Sequence, residues 1–452
     1  MRREPSRTGQ PPPVAPLLAL GRRTAVIAVL LAATAGAEAE HATLLDKGKW
    51  RKIPVRTPRS LAGFRPARDV RLSQYGGLAT RKVKATGFFR VEKTGGRWWL
   101  VDPEGCLFLS AGLCSVNLST SDGSPEKFGT KEKWAEATAE LLREHGFNTL
   151  GRWSEWQLFR QLDKPIAYCT KLNMMSSYKN VRDPARGERG YPHQTMPVFD
   201  PEFEAHCDDH ARQLAATRDD PWLLGHFSDN ELPFRPNALD NFLKLPASDP
   251  GHQAAADFLA RRGRTAPQAT KADEAAFAEL VSDRYYRIVA RAIKRHDPNH
   301  LFLGSRLHGR CITGPVFRGA RHCDVVSVNY YHRWSAEPER MTRWLRASGR
   351  PFIASEWYAM SLDSPRRDVA GAGFRVQTDR DRGLFYQNFT LSLLEHPACV
   401  GWHWFKYGGD APGCHKGIVG PQLEPHRELL APMKELNDQL YPLARHLLRP
   451  RR

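Results

Sequence analysis

The sequence predicts an α/β protein centred on a (β/α)8 TIM barrel, with an extended N-terminal arm and a short β-hairpin in front of it. Three observations lead there. Eight β-rich apolar runs of four to eight residues, each bounded by turn residues, recur along the chain. Helical stretches with apolar residues at three- and four-residue spacing fill most of the gaps, the alternation that parallel strands with crossover helices require. The two long interruptions, Asp183–Phe199 and Leu232–Lys271, follow the C-terminal ends of strands, where barrel proteins build their binding face. A doubly wound sheet is the alternative arrangement of the same elements.

Taken in order, residues 1–39 read as an export signal. Arg22 and Arg23 precede an apolar stretch, Ala25–Ala37, that is too short to span a bilayer and ends in small residues, with cleavage expected after Ala37 or Ala39. A retained membrane anchor is the other reading. With cleavage, the protein is periplasmic or secreted. Residues 40–86 are basic and punctuated by proline, a basic arm without its own core. The catalytic domain is expected over 87–445, opening with a hairpin of Phe88–Val91 and Arg97–Val101 about Gly95 and Gly96. The barrel strands follow: Leu107–Leu113, Asn148–Trp153, Ile166–Leu172, Leu223–Ser228, Leu301–Leu307, Val325–Tyr331, Pro351–Trp357 and Val400–Phe405. Helices are expected over Lys131–His145, Pro201–Arg218, Ala272–His296, Glu337–Ala347, Arg380–His396 and Pro425–Leu440.

Composition narrows the partners. The 452 residues carry a formal charge of +18, and since residues 1–39 hold five Arg and two Glu, the remainder is near +15. Such a balance favours polyanions, sulfated or carboxylated polysaccharide among them. Nucleic acid is disfavoured, because the basic residues are spread along the chain and no helix-turn-helix, zinc-finger or RNA-recognition signature is present. No membrane contact beyond the export signal is expected, and the oligomeric state is open. The eight cysteines contain no Cys-x-x-Cys pair, so they make no zinc site, and those in apolar runs read as buried hydrophobes. His206 and His210 stand one helical turn apart but lack the Glu of a metalloprotease helix, and read as a solvated face. No metal and no cofactor are expected.

In a barrel, the polar residues at strand C-terminal ends are placed for chemistry. Here they are Asn117; Arg152 and Trp153; Asp229, Asn230 and Glu231; Arg306 and His308; Asn329, Tyr330 and Tyr331; Glu356 and Trp357; and Trp402, His403 and Trp404. Glu231 and Glu356, three strands apart, face each other across the mouth. A pair of carboxyl groups is what glycoside hydrolysis needs, one to protonate the leaving oxygen and one to attack the anomeric carbon. An arginine such as Arg152 beside Glu356 would keep it a carboxylate, Asn230 would bond the sugar hydroxyl next to the reacting carbon, and Tyr330 or Tyr331 would orient the nucleophile. Among Trp153, Trp222, Trp357, Trp402 and Trp404, sugar stacking and burial in the core are both open, for an indole face suits a pyranose as well as a core.

Read as longer motifs, these residues resemble a known family. Gly-Arg-Trp-Ser (151–154), Ser-Asp-Asn-Glu-Leu-Pro (228–233), Leu-Gly-Ser-Arg-Leu-His (303–308), Ser-Val-Asn-Tyr-Tyr (327–331), Ile-Ala-Ser-Glu-Trp-Tyr (353–358) and Gly-Trp-His-Trp-Phe-Lys-Tyr (401–407) resemble the β-agarases of glycoside hydrolase family 50, within the retaining glycosidases of clan A. The resemblance covers roughly 87–442. It implies Glu231 as general acid/base, Glu356 as nucleophile and agarose-type galactan as substrate. Family members usually carry a carbohydrate-binding domain before the barrel, and residues 41–86 are too short and polar to be one. A clan A enzyme for another sugar, of β-galactosidase or mannanase type, and a saccharide-binding barrel that does not cut, are the rival readings. Gathering of the positive charge at the mouth would point to sulfated galactans.

Overall fold

Strands buried on both faces carry apolar side chains at successive positions rather than at alternate ones, and such strands form the centre of this protein. Eighteen strands appear in chain order among the described residues: β1 (His41–Asp46), β2 (Lys49–Pro54), β3 (Leu78–Lys82), β4 (Arg90–Thr94), β5 (Arg97–Val101), β6 (Cys106–Phe108), β7 (Ser110–Leu113), β8 (Thr149–Leu150), β9 (Ala167–Lys171), β10 (Leu223–Phe227), β11 (Leu301–Phe302), β12 (Leu307–His308), β13 (Val326–Asn329), β14 (Phe352–Trp357), β15 (Ala359–Leu362), β16 (Phe374–Val376), β17 (Cys399–Trp404) and β18 (Cys414–His415). Every residue of β10, β14 and β17 is buried. The computed structural model describes residues 40–118, 127–181, 191–363, 369–411 and 413–448. The expected export signal and residues 183–190 of the first insertion lie outside them.

The result is a mixed α/β fold built on a nine-stranded parallel sheet in the order β11-β10-β9-β8-β7-β17-β14-β13-β12, with a five-stranded and a four-stranded sheet beside it. All eight expected strand positions contribute to the parallel sheet, and two of the runs divide. Leu107–Leu113 is two strands: β6 pairs antiparallel with β3 and β5, and β7 pairs parallel with β8 and β17. The Asn148 side chain bridges the break, donating to the Leu109 carbonyl at 3.0 Å and accepting from Ala111 N at 2.9 Å. Leu301–Leu307 divides because Gly304 (φ 75°) and Arg306 (φ 54°) take left-handed conformations that no strand accommodates. Its halves, β11 and β12, are the two ends of the sheet.

The expected hairpin forms about Gly95 and Gly96, both at positive φ as a two-residue turn requires, but its first strand is Arg90–Thr94 rather than Phe88–Val91. Its apolar side covers the N-terminal ends of the parallel strands: Phe89, Leu100 and Phe108 pack with Leu224, Leu301, Val325, Ile353 and Val400. Arg97 is fully buried beneath it, donating to the carbonyls of Leu394 and Cys399 at 2.7 Å each. Residues 41–82 are more than an extended arm. Strands β1 and β2 join β16, β15 and β18 in the five-stranded sheet, and β3 joins β6.

Helices follow the apolar periodicity, and their starts follow threonine. Thr130, Thr270 and Thr378 cap Lys131–Glu144, Lys271–His296 and Asp379–Leu394, the last two as capping boxes with Asp273 and Asp381. Two expected helices break, Pro201–Arg218 into Phe203–Ala211 and a 3-10 turn, and Pro425–Leu440 into Arg427–Asn437 and Leu440–Leu447. Among the described residues, no helix is long and apolar enough to cross a membrane. All eight cysteine side chains are buried in the interior.

Candidate active site

Parallel strands all end on the same side of the sheet, so whatever follows them gathers there. After β10 the chain is locked by Asp229. Its buried carboxylate accepts from Met175 N, Ser176 N, Ser176 Oγ and Tyr285 OH at 2.6–3.1 Å, and burial pushes its pKa up against those bonds. Glu231 then turns outward through a left-handed conformation (φ 54°), with its N–H on the Ser305 carbonyl at 3.2 Å. A non-glycine residue rarely adopts that conformation, and Ser115, Trp153, Asn173, Arg306 and His332 do so beside neighbouring strand ends.

The two expected carboxylates lie in one hydrogen-bonded network but in different surroundings. Glu356, at 8% exposure, is clamped through both oxygens. Arg306 Nη2 donates to Oε2 at 2.6 Å and Tyr331 OH to Oε1 at 2.7 Å. Glu231 is one-third exposed. The Asn329 amide donates to its Oε1 at 2.7 Å, and His308 Nδ1 lies 3.7 Å from Oε2. Two side chains connect these halves. Arg306 Nη1 donates to Asn230 Oδ1 at 2.8 Å, while Asn329, fixed by Ser355 Oγ at 2.9 Å, reaches Asn230 Oδ1 at 3.5 Å as well as Glu231.

Arg306 is therefore the partner of the nucleophile candidate, in place of Arg152. Arg152 is directed to the Asp229 carbonyl and Asn173 Oδ1, at 2.7 and 2.8 Å. Both guanidinium groups lie over the Trp153 ring, Arg306 at 4.5 Å and Arg152 at 5.2 Å from its centre. Asn117 donates to the Trp153 carbonyl at 2.9 Å and helps fix that ring. Cys114 lies 3.7 Å from Arg306 Nη2, and burial pushes its thiol up to about 12.

Four expected binding residues belong to the core. Tyr330 is buried against Trp344 and Phe389, with its hydroxyl accepting from Glu337 N. Trp357, Trp402 and Trp404 are buried between the sheet and the helix Asp379–Leu394, in contact with Tyr386. Strand parity is the cause: side chains alternate, so Glu356 and His403 point one way and Trp357, Trp402 and Trp404 the other. His403 fills the interior, 3.0 Å from Ser110 Oγ, where Gly112 and Gly151 leave room for the ring.

Two clusters have the donor chemistry of a metal site. In one, Asp297 bonds His226 and His300, whose other nitrogens meet Thr170 Oγ1 and the Asp220 carbonyl. In the other, Asp379 bonds His415, His426, Ser361 and Arg382, and His426 also meets Asp410. His206 and His210 are half-buried rather than solvated, on Ser177 Oγ and the Leu172 carbonyl. Sequence reasoning passed over Tyr358, Phe405, Lys406 and Lys416, which wall the same mouth. Two of them, Tyr358 and Phe405, directly follow Trp357 and Trp404, one step beyond the strand ends.

No protein-family model matches the chain. Beta-agarase B of Vibrio sp. (strain JT0107) is 23% identical over 526 residues, taking in 89% of this chain and 53% of that protein. Beta-agarase A of the same strain is 23% identical over 474 residues, 80% and 47% of the respective chains. The chain thus spans about half the length of these curated relatives. Among solved structures, BpGH50 matches with a TM-score of 0.82 and 30% identity, over 91% of this chain and 96% of that one. The agarase AgWH50C matches at 0.70 and 25%, over 82% and 66%. An exo-beta-agarase matches at 0.71 and 21%, over 89% and 74%, a likeness of fold.

Proposed function

Because the chain belongs to glycoside hydrolase family 50, we propose that it is a retaining β-glycosidase of agarose-type galactan, in which Glu356 attacks and Glu231 exchanges the proton. One observation carries the assignment. The two carboxylates share a network, yet one is buried and clamped by a guanidinium and a phenol while the other touches solvent and is held by an amide. A nucleophile must keep its charge and its aim; an acid/base must trade protons with water.

In the first step a Glu356 oxygen bonds to the anomeric carbon as the glycosidic bond breaks, and the Glu231 proton goes to the leaving oxygen. In the second, Glu231 takes a proton from water, whose oxygen bonds to the same carbon and releases Glu356. Asn230, its carbonyl occupied by Arg306, presents its amide N–H to the neighbouring sugar hydroxyl. Trp153 is the stacking face for the sugar. This chemistry uses no metal and no organic cofactor.

The reading includes clan A architecture, with Leu301–His308 as one interrupted fifth strand closing an eight-stranded barrel. Bonds from Leu303 N to the His226 carbonyl and from Val325 N to the Phe302 carbonyl support that closure. It also includes export of the chain by residues 1–39, which sequencing the N-terminus of the secreted protein would test.

The decisive experiment is sugar release from agarose, porphyran, carrageenan and mannan, beside Glu356→Gln. Neoagaro-oligosaccharides from the parent, formed with retained anomeric configuration and absent from the variant, are expected. Release from mannan alone would move the substrate to another sugar, and silence on all four with the fold intact would leave a saccharide-binding protein.

A further inference from the structure

Two ammonium groups that the mechanism does not use stand over rings that pack against the site. Lys416 Nζ lies 4.7 Å from the centre of the Tyr358 ring and 5.4 Å from that of Phe405, and Lys406 Nζ lies 5.7 Å from the Phe405 ring. Both side chains are half-buried. The rings tie them to the site. Tyr358 packs edge-on against Tyr331, the phenol on Glu356, and Phe405 packs against Trp153, the ring under Arg306.

Among the described residues, neither ammonium has a carboxylate within ion-pair distance. The neighbouring acids are already engaged: Asp410 by Lys416 N, Gly417 N and His426, and Asp379 by Ser361, Arg382, His415 and His426. Burial and the charge of Lys416 lower the proton affinity of Lys406, against the weaker pull of Asp410. Two like charges, half-buried and sharing the Phe405 ring, repel one another, and an anion placed near both would offset that cost.

We propose that Lys406 and Lys416, standing over Phe405 and Tyr358, form an anionic subsite that takes a sugar bearing a sulfate ester or a carboxylate next to the residue being cleaved. The half-buried Phe405 ring offers the apolar surface a pyranose needs, the buried Tyr358 ring seats Lys416, and the ammonium groups act as point charges for the oxyanion. This inference rests on the glycosidase reading of Glu231 and Glu356.

The test is calorimetric binding to the full chain carrying Glu231→Gln, which leaves the charge balance of Arg306 and Glu356 untouched. Three galacto-oligosaccharides of equal length serve as ligands: neutral, sulfated and uronate-bearing. One of the anionic ligands is expected to bind about tenfold tighter than the neutral one at low salt, with the preference shrinking at high salt. Whichever anion is preferred names the group. Adding Lys406→Gln and Lys416→Gln removes the preference, and Lys406→Arg with Lys416→Arg retains it, each variant first checked by thermal melting. Equal binding of all three ligands by the parent, or a preference that survives loss of both lysines, overturns the subsite. Because binding is read without turnover, a lysine-dependent preference in a protein that cuts no galactan would sustain the subsite and sink the hydrolase reading instead. Cutting of neutral agarose with no anion preference would do the reverse.

Discussion

Arg306 is the residue on which the site depends most. Fully buried, it serves Glu356, Asn230 and the Ser355 carbonyl at once, so Arg306→Met leaves a buried carboxylate with only a phenol. We expect kcat to fall about a hundredfold, with the melting temperature lowered as well. Tyr331→Phe removes one bond to the same carboxylate and should cost about tenfold in kcat/KM with the fold unchanged, read by steady-state kinetics. Both carboxylates could be picked from the sequence because each lies at the C-terminal end of a strand run, and the structure joins them in one hydrogen-bonded network through Arg306, Asn230 and Asn329. The identity of the arginine could not. Residues 152 and 306 both sit at strand ends, and only the left-handed turn at Arg306, which no local pattern announces, directs its guanidinium at Glu356.

At the scale of elements, the parity of a strand decides what its tryptophans do. Trp402 and Trp404 share a face of β17 that packs on the helix Asp379–Leu394, so substituting them tests packing rather than sugar binding. Trp404→Ala should cost about 3–5 kcal/mol of stability, measured by urea denaturation. The sequence held the alternation but not its phase, since a strand buried on both faces carries no polar stripe to mark the inside. The strands in residues 41–82 were hidden for the opposite reason, since β2 and β3 are largely exposed and polar and carry no apolar run. The contacts that anchor β1 and the residues after β2 lie 338 and 339 residues away in sequence, where Thr43 N meets Asp381 Oδ1 and Arg56 pairs with Glu395. A chain beginning at Gly87 is therefore expected to aggregate, and one beginning at Glu40 to elute as a single folded species in size-exclusion chromatography.

For the whole molecule, the buried imidazoles set the response to acid. Burial, with the charge of Arg306, holds His403 down at about 3, and burial, with Arg97, holds His396 at about 4, against an ordinary value of 6.5. Below pH 6.5 the unfolded chain therefore binds protons that the folded chain refuses. Stability is complete above that pH and declines by about 1.4 kcal/mol per pH unit for each such group as pH falls toward the folded values. Melting temperatures from neutral pH down to pH 4.5 should trace this decline, and His403→Gln should flatten it. The eight interior thiols carry a different consequence. All eight cysteine side chains are buried, so each sulfur is shielded until the chain opens. Alkylation of those sulfhydryls by a small reagent then becomes a stopwatch for unfolding, ticking at the rate at which the interior is exposed and falling silent when a tightly bound saccharide holds it shut.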